Sequence, residues 1–600
     1  MKSMLKSLAL VAGAFVVLAG NLHAQSVAFI GTGSSAIFLE MGQAAAAPAV
    51  GGCVWTSAKG SGTPTTAVSI VDTRIGSTSD NGYTGTVENG AAWVAWTPGT
   101  GGTCAAPASD SKIYADVNLD SVIGDRCFLA SPKCTFVLPT ATIGQADGNQ
   151  LSPVTGTITA LPSAIQSALN GQPVTAALTD IRPEDAKFAS IRMFTSCGTQ
   201  IGTSQYYGLG FQGSNAGNGT GSLAGTTVAE STASGGLGSG TFHVLDFNLT
   251  GTDPISGNTL PTSYTVSTVG AQPIVVFVNP ANINGFGNIA VNNLDDTTLA
   301  GYFDGTLGRT ADAIPAYSNP GAGTSSIVTA NAAVVAHVFV REPLSGTYNT
   351  FEFNTANTVR NQSSQDVGLA SVNANTAGAN VPFFNCTSVG GAVSSNPLTD
   401  SESRGSATST RQRAIGTGDE VKAVINQSDA IGYAFWSAAN FASATSSNAK
   451  YLTIDGIDPL QQNWTSGLVP TSTNGLLGNV TMSHVKDGTY PIWSLVRVVS
   501  SSPTPAGVTT LVNGAQNFIS QTQPDFVPVS SLAVRRSHFA PPTVSFPSSG
   551  TNQPSNGDTS NCSTTEAGGD VGGAPVSIQA DYDFCKDSGV STVGLTGVRD

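Results

Sequence analysis

Near the start of the chain, Ser26-Val27-Ala28-Phe29-Ile30 runs into Gly31-Thr32-Gly33-Ser34-Ser35 and then into the alanine-rich stretch 36–47. This order predicts a strand that feeds a helix through a tight glycine-rich turn. The constraint is strong, because such a unit commits the chain to a sheet with helices packed on it. It also leaves the first N–H groups of the helix facing the turn, where Ser34, Ser35 and Ala36 form an expected cradle for an anion.

Further elements follow the same alternation. Helices are expected over 161–169, 294–303 and 417–426, and strands over 174–178, 272–279, 332–340 and 430–435. The strand at 174–178 ends in Thr179-Asp180, and the one at 332–340 ends in Arg341-Glu342-Pro343-Leu344-Ser345-Gly346-Thr347. Strands alternating with helices predict an α/β fold with mainly parallel strand order. Two stretches rich in Gly, Ser, Thr and Asn, at about 54–110 and 198–262, are expected to be insertions, the first with strand-like pieces at 92–96 and 112–118. Residues 541–600 begin Pro/Ser/Gly/Asn-rich and carry two cysteines, which predicts a linker and a stapled tail.

Charged residues make up 10% of the chain and the formal net charge is −14. That balance excludes nucleic acid and anionic membrane surfaces as partners, but not a small anion held by aimed N–H groups and an arginine. The first residues read as a secretory signal: Lys2 and Lys6, an apolar run over 8–18, and Leu22-His23-Ala24 as a cleavage site. The apolar run is shorter than the roughly 18 residues that span a bilayer, so the mature chain is expected to start at Gln25, periplasmic or extracellular, with no membrane insertion. All eight cysteines follow that point, and disulfides are the expected state. Pairing by proximity joins Cys53 with Cys104, Cys127 with Cys134, Cys197 with Cys386, and Cys562 with Cys585, one of about 105 connectivities.

Four stretches carry a family resemblance. Gly31-Thr32-Gly33-Ser34-Ser35 is similar to a Gly-x-Gly-x-Thr opening loop, and Ala177-Leu178-Thr179-Asp180 to a Gly/Ala-x-Ser-Asp strand end. Arg341 to Thr347 matches Arg-x-x-x-Ser-Gly-Thr, and Asp429-Ala430-Ile431-Gly432-Tyr433 is like Gly-Ala-Ile-Gly-Tyr. In this order they resemble the phosphate-binding proteins of ABC importers, within the type 2 periplasmic-binding-protein family. The resemblance implies a two-lobed α/β fold, with lobe 1 over 25–279 and 436–540 and lobe 2 over 280–435. It implies capture of phosphate or a similar tetrahedral oxyanion in the cleft, and delivery to an ABC permease by a monomer, with no covalent step.

The ligand residues implied are Ser34, Ser35, Ala36, Ser121, Asp180, Arg341, Ser345, Gly346 and Thr347. Arg341 offers paired donors to two oxygens of the anion; its alternative role is a salt bridge with Glu342 or Asp180. Ser345, Gly346 and Thr347 present N–H groups and hydroxyls; the same residues also suit an ordinary helix cap. Asp180 would accept the proton that phosphate keeps at neutral pH and sulfate lacks, or else cap a helix ahead of Arg182. Arg126 stands near Ser121 and either joins the site or braces the loop at Cys127. Between Arg341 and Ser345 the chain has Pro343-Leu344 where the family has a small or acidic residue, which removes a carboxylate that orients the arginine.

His243, His337, His484 and His538 are isolated, so spacing nominates neither a metal pair nor a Ser/His/Asp nucleophile. Binding rather than catalysis is expected, with no cofactor. Trp93 and Trp96 either line a groove or cover the sheet. The alternative function is an extracellular surface, matrix or adhesive protein that keeps the fold without oxyanion transport.

Overall fold

The computed structural model describes residues 25–57, 68–71, 86–138, 151, 160–183, 186, 200–201, 204–205, 264–304, 307–314, 334–341, 345–355, 400–404, 407–414, 416–521 and 524–533. Its main sheet has 12 strands. The first six are β1 (Ser26–Ser34), β2 (Cys53–Thr56), β3 (Ala92–Trp96), β4 (Lys112–Leu119), β5 (Ala176–Thr179) and β6 (Tyr264–Val278). The rest are β7 (His337–Arg341), β8 (Asp400–Arg404), β9 (Ala407–Ala414), β10 (Ala430–Phe435), β11 (Lys450–Tyr451) and β12 (Trp493–Ser501). In space the order is β8, β9, β7, β10, β6, β12, β5, β1, β4, β3, β2, with β11 paired to β6 off this path.

The fold is therefore α/β with one large sheet, but its strand order is mixed rather than mainly parallel. Parallel pairing holds β1 to β4 and β5, and β7 to β9 and β10. Between these groups β6, 15 residues long, runs antiparallel to β12 over Tyr264–Pro273 and to β10 over Ile274–Val278. The strand changes partner where Pro273 has no N–H to give a ladder. β2 and β3 form an antiparallel pair that extends the sheet beyond β4, so part of the stretch expected as an insertion belongs to the main sheet. All five side chains of β3 are buried, which its composition Ala-Trp-Val-Ala-Trp accounts for. Trp93 packs beside Phe29 and its indole N–H donates to Phe38 O at 3.0 Å, so it serves the core.

Two clusters of buried hydrophobic side chains among the described residues bear on the site. The first gathers Phe29, Trp93, Tyr114 and Leu178 of the sheet against α1 (Phe38–Ala46) and the later helix Ala506–Gln521. In that later helix Val508, Leu511, Val512 and Ala515 recur at the spacing of one helical face. The second core gathers the end of β6, β10, Leu299, Tyr302, Phe303, Phe351, Val421 and Val424. It continues through Trp436, Phe441, Leu452 and Leu460 to Ile492, and β11 pairs with the end of β6 in the same region.

Cys53–Cys104 and Cys127–Cys134 are disulfides, in agreement with pairing by proximity. Cys197, Cys386, Cys562 and Cys585 lie outside the described residues, as do the tail at 541–600, the signal segment, and all of 198–262 except 200–201 and 204–205. Among the described residues no helix is long and apolar enough to cross a membrane.

Two positions generate tests. Gly33 has φ +138°, and a Cβ there would stand 2.0 Å from Leu178 O of β5. Gly33→Ala is expected to lower stability by about 1–3 kcal/mol, read from the midpoint of thermal unfolding. Glu40 of α1 is buried beside Asp525, with Ser437 Oγ donating to Glu40 Oε1 at 3.4 Å and Ala438 N–H donating to Asp525 Oδ1 at 2.8 Å. Burial, then the Asp525 charge, pushes the Glu40 carboxyl well above its ordinary 4.5, so Glu40 holds its proton to higher pH in the folded chain. As pH rises past the ordinary value the unfolded chain loses that proton while the folded chain holds it, so this contribution to stability declines. Urea unfolding from about pH 5 to about pH 8 is expected to show that slope, reduced in Glu40→Gln.

Candidate anion-binding site

The site is built where strands end and helices begin. Ser35 follows β1, Asp180 follows β5, and Arg341 closes β7. Four helices start around them: α1, α2 (Ser121–Leu129), the helix Gly346–Phe353 and the helix Thr417–Asn426. The last two are α3 and α4 below. The first turn of each carries N–H groups with no intrahelical partner and the positive end of the helix dipole.

The contacts form one connected chain. Ser121 Oγ donates a short hydrogen bond to Asp180 Oδ1, and Thr347 Oγ1 donates to Asp180 Oδ2 at 3.5 Å. Arg341 Nη1 donates to Thr347 Oγ1 at 3.2 Å and to Thr417 Oγ1 at 3.3 Å, while Nη2 lies 3.8 Å from Asp120 Oδ1. Thr417 Oγ1 lies 3.0 Å from Ser35 Oγ. The Arg341 N–H donates to the Tyr433 hydroxyl at 3.2 Å, which fixes the end of β7 against β10. Gly346 sits against Asp180 so closely that a Cβ would meet the carboxylate and Ser121 Oγ, so only glycine fits at the start of α3. Ser35, Ser121, Asp180, Arg341, Thr347 and Thr417 are all buried.

Electrostatics follow from that burial. It pushes the Asp180 carboxyl up, and the Ser121 hydrogen bond, the backbone, Arg341 and Arg497 pull it down. Arg497, in β12, is itself buried and donates to Leu495 O at 2.7 Å.

Several alternatives are decided locally. Ser345 caps α3: its Oγ accepts the N–H groups of Thr347 at 3.1 Å and Tyr348 at 3.4 Å. Asp180 is turned to Ser121 and Thr347, and the turn after it is bonded by Thr179 Oγ1, which accepts the Ile181 N–H at 3.2 Å. The carboxylate paired with Arg341 is Asp120; Glu342 lies outside the described residues. Ser34 Oγ accepts the Ala36 N–H at 3.2 Å within the turn, and Ala36 packs into the second core. Arg126 is buried within α2 beside Cys127, which is bonded to Cys134. A groove bordered by Pro48, Asp110, Lys112 and Thr510 brings together none of these groups.

Sequence reading missed Asp120, Thr417 and Arg497. Asp120 adjoins the nominated Ser121, and Thr417 opens a helix that the sequence predicts. Arg497 is a lone charge in an apolar strand, a pattern that signals a buried polar role.

No family model matches this sequence, and no curated protein matches it. Solved structures are similar to it at low scores. An ancestral soluble variant of the human phosphate binding protein matches at 12% identity and TM-score 0.28, over 83% of this chain and 90% of that one. A high-affinity periplasmic phosphate-binding protein bound with phosphate matches at 11% and 0.25, over 61% and 78%. An ABC-type phosphate transport receptor from Vibrio cholerae matches at 14% and 0.23, over 44% and 72%.

Proposed function

We propose that the chain is an exported binding protein that captures phosphate or a similar tetrahedral oxyanion between two lobes, one around each hydrophobic core. The observation that carries this reading is the meeting of the N-termini of α2, α3 and α4 around the buried Arg341, with the Ser35 turn that leads into α1 beside them. Helix N-termini favour negative charge, and a guanidinium matches paired oxygens of a tetrahedral anion. Asp120 and Asp180 balance Arg341 and Arg497 in formal charge, so the helix ends tip the site toward an anion. No nucleophile or covalent step is required, and delivery to an ABC permease by a monomeric periplasmic or extracellular protein completes the proposal.

Asp180 gives the reading its selectivity. A carboxylate has about four lone-pair sites, and those directed at Ser121 and Thr347 leave capacity for a further donor. A protonated phosphate brings that donor; a fully ionised anion brings only repulsion.

Titration calorimetry on the mature chain, stripped of endogenous ligand, is the test. Phosphate and arsenate are expected to bind, and sulfate and molybdate to bind at least about a hundredfold more weakly. Asp180→Asn is expected to narrow that gap. Absence of heat with all four anions would sink the reading.

A further inference from the structure

We propose that Thr417 is the latch that closes the cleft, tying Arg341 on one lobe to Ser35 on the other. The proposal rests on the two-lobe reading above and adds a residue to its site. Ser35 belongs to the turn between β1 and α1, whose Phe29, Ile37 and Phe38 pack in the first core and whose Ala36 reaches the second, while Thr417 opens α4, whose Val421 and Val424 pack in the second. They stand 382 residues apart in sequence.

Three hydrogen bonds converge on this pair. The Thr417 N–H donates to Ser35 Oγ at 3.1 Å, the two hydroxyl oxygens lie 3.0 Å apart, and Arg341 Nη1 donates to Thr417 Oγ1 at 3.3 Å. The N-cap position of α4 is Gly416, which has no side chain to offer, so the first N–H of α4 takes its acceptor from the opposite lobe. That donor is satisfied inside the protein when the lobes are together, and the burial of both residues excludes water as a substitute.

The proton count carries the argument to the ligand. Two hydroxyls that share one hydrogen bond use one proton between them, whichever is the donor. The second proton remains for another acceptor. Beside Arg341 and Thr347 that acceptor is an oxygen of the captured anion, so Thr417 joins latch and ligand: the same hydroxyl pair that bridges the lobes donates to the anion, and Arg341 polarises it by donating into Thr417 Oγ1.

Thr417→Val keeps the branched shape and the N–H and removes the hydroxyl; Thr417→Ser keeps the hydroxyl. Hydrogen exchange of the full mature chain, followed in peptides covering 31–41 and 416–426, is expected to accelerate in Thr417→Val and to match the native chain in Thr417→Ser. Ser35→Ala removes the acceptor from the other side and is expected to accelerate exchange at 416–426 as well. Affinity for inorganic phosphate is expected to fall about tenfold in Thr417→Val and to be retained in Thr417→Ser. Unchanged exchange in both peptides for folded Thr417→Val and Ser35→Ala would overturn the latch. A native chain that takes up no phosphate, with exchange accelerated as described, would sink the oxyanion reading and leave the latch standing.

Discussion

A guanidinium does not shed its charge, so burying Arg341 to 1% exposure obliges the fold to bring acceptors to it. Those acceptors come from three separate places: Thr347 at the start of α3, Thr417 at the start of α4, and Asp120 at the entry to α2. Thr347 passes the pattern on, accepting from Arg341 and donating to Asp180, so the arginine of β7 and the aspartate after β5 are held by one hydroxyl. Satisfying one buried cation therefore fixes where three helices begin.

Those helices can meet because one strand belongs to both cores. β6 pairs with β12 along its first part and with β10 along its second, and the exchange falls at Pro273. The junction is knitted on the other side by Trp436, whose N–H donates to Pro273 O at 2.9 Å and whose indole donates to Pro524 O at 2.9 Å. Beside it, Ser437 and Asp525 hold Glu40 of α1, the helix that follows the Ser35 turn. The crossover and the Ser35 turn are thus tied to the two ends of α1's approach, Glu40 reaching Ser437 and Ser35 reaching Thr417. Such contacts transmit displacement because packed interiors do not deform continuously.

How much of this was readable in the sequence depended on how local each feature is. The turn at Gly31 to Ser35, the strand end at Asp180 and the run from Arg341 to Thr347 announce themselves by residue types within a few positions. Ser121 was reached because it opens a short run between the first and second of these. The role of Thr417 was not, because its partners are Ser35 and Arg341, and no periodicity encodes a contact across 382 residues. The mixed strand order escaped for a related reason: an apolar run such as Ile274 to Val278 is compatible with parallel or antiparallel neighbours, and pairing decides between them. Likewise the apolar segments after Phe435 carry no mark of which core they cover.

The Pro343-Leu344 departure gains a physical account from this arrangement. In the pattern that the loop resembles, a carboxylate within the same loop orients the arginine, and both belong to one lobe. Here Asp120 supplies a carboxylate 3.8 Å from Arg341 Nη2, and it comes from the entry to α2, far from the loop in sequence. Arg341 also donates to Thr347 and Thr417, and Thr417 in turn contacts Ser35. Under the proposed two-lobe capture, part of the ordering of the arginine is deferred until the lobes come together, and ordering at that moment subtracts from the free energy of capture. The same dependence widens the difference between open and closed forms, because contacts made only in the closed form are what a ligand can use to shift the equilibrium. A site of the proposed kind would exchange some affinity for a sharper coupling between the presence of an anion and the shape of the protein.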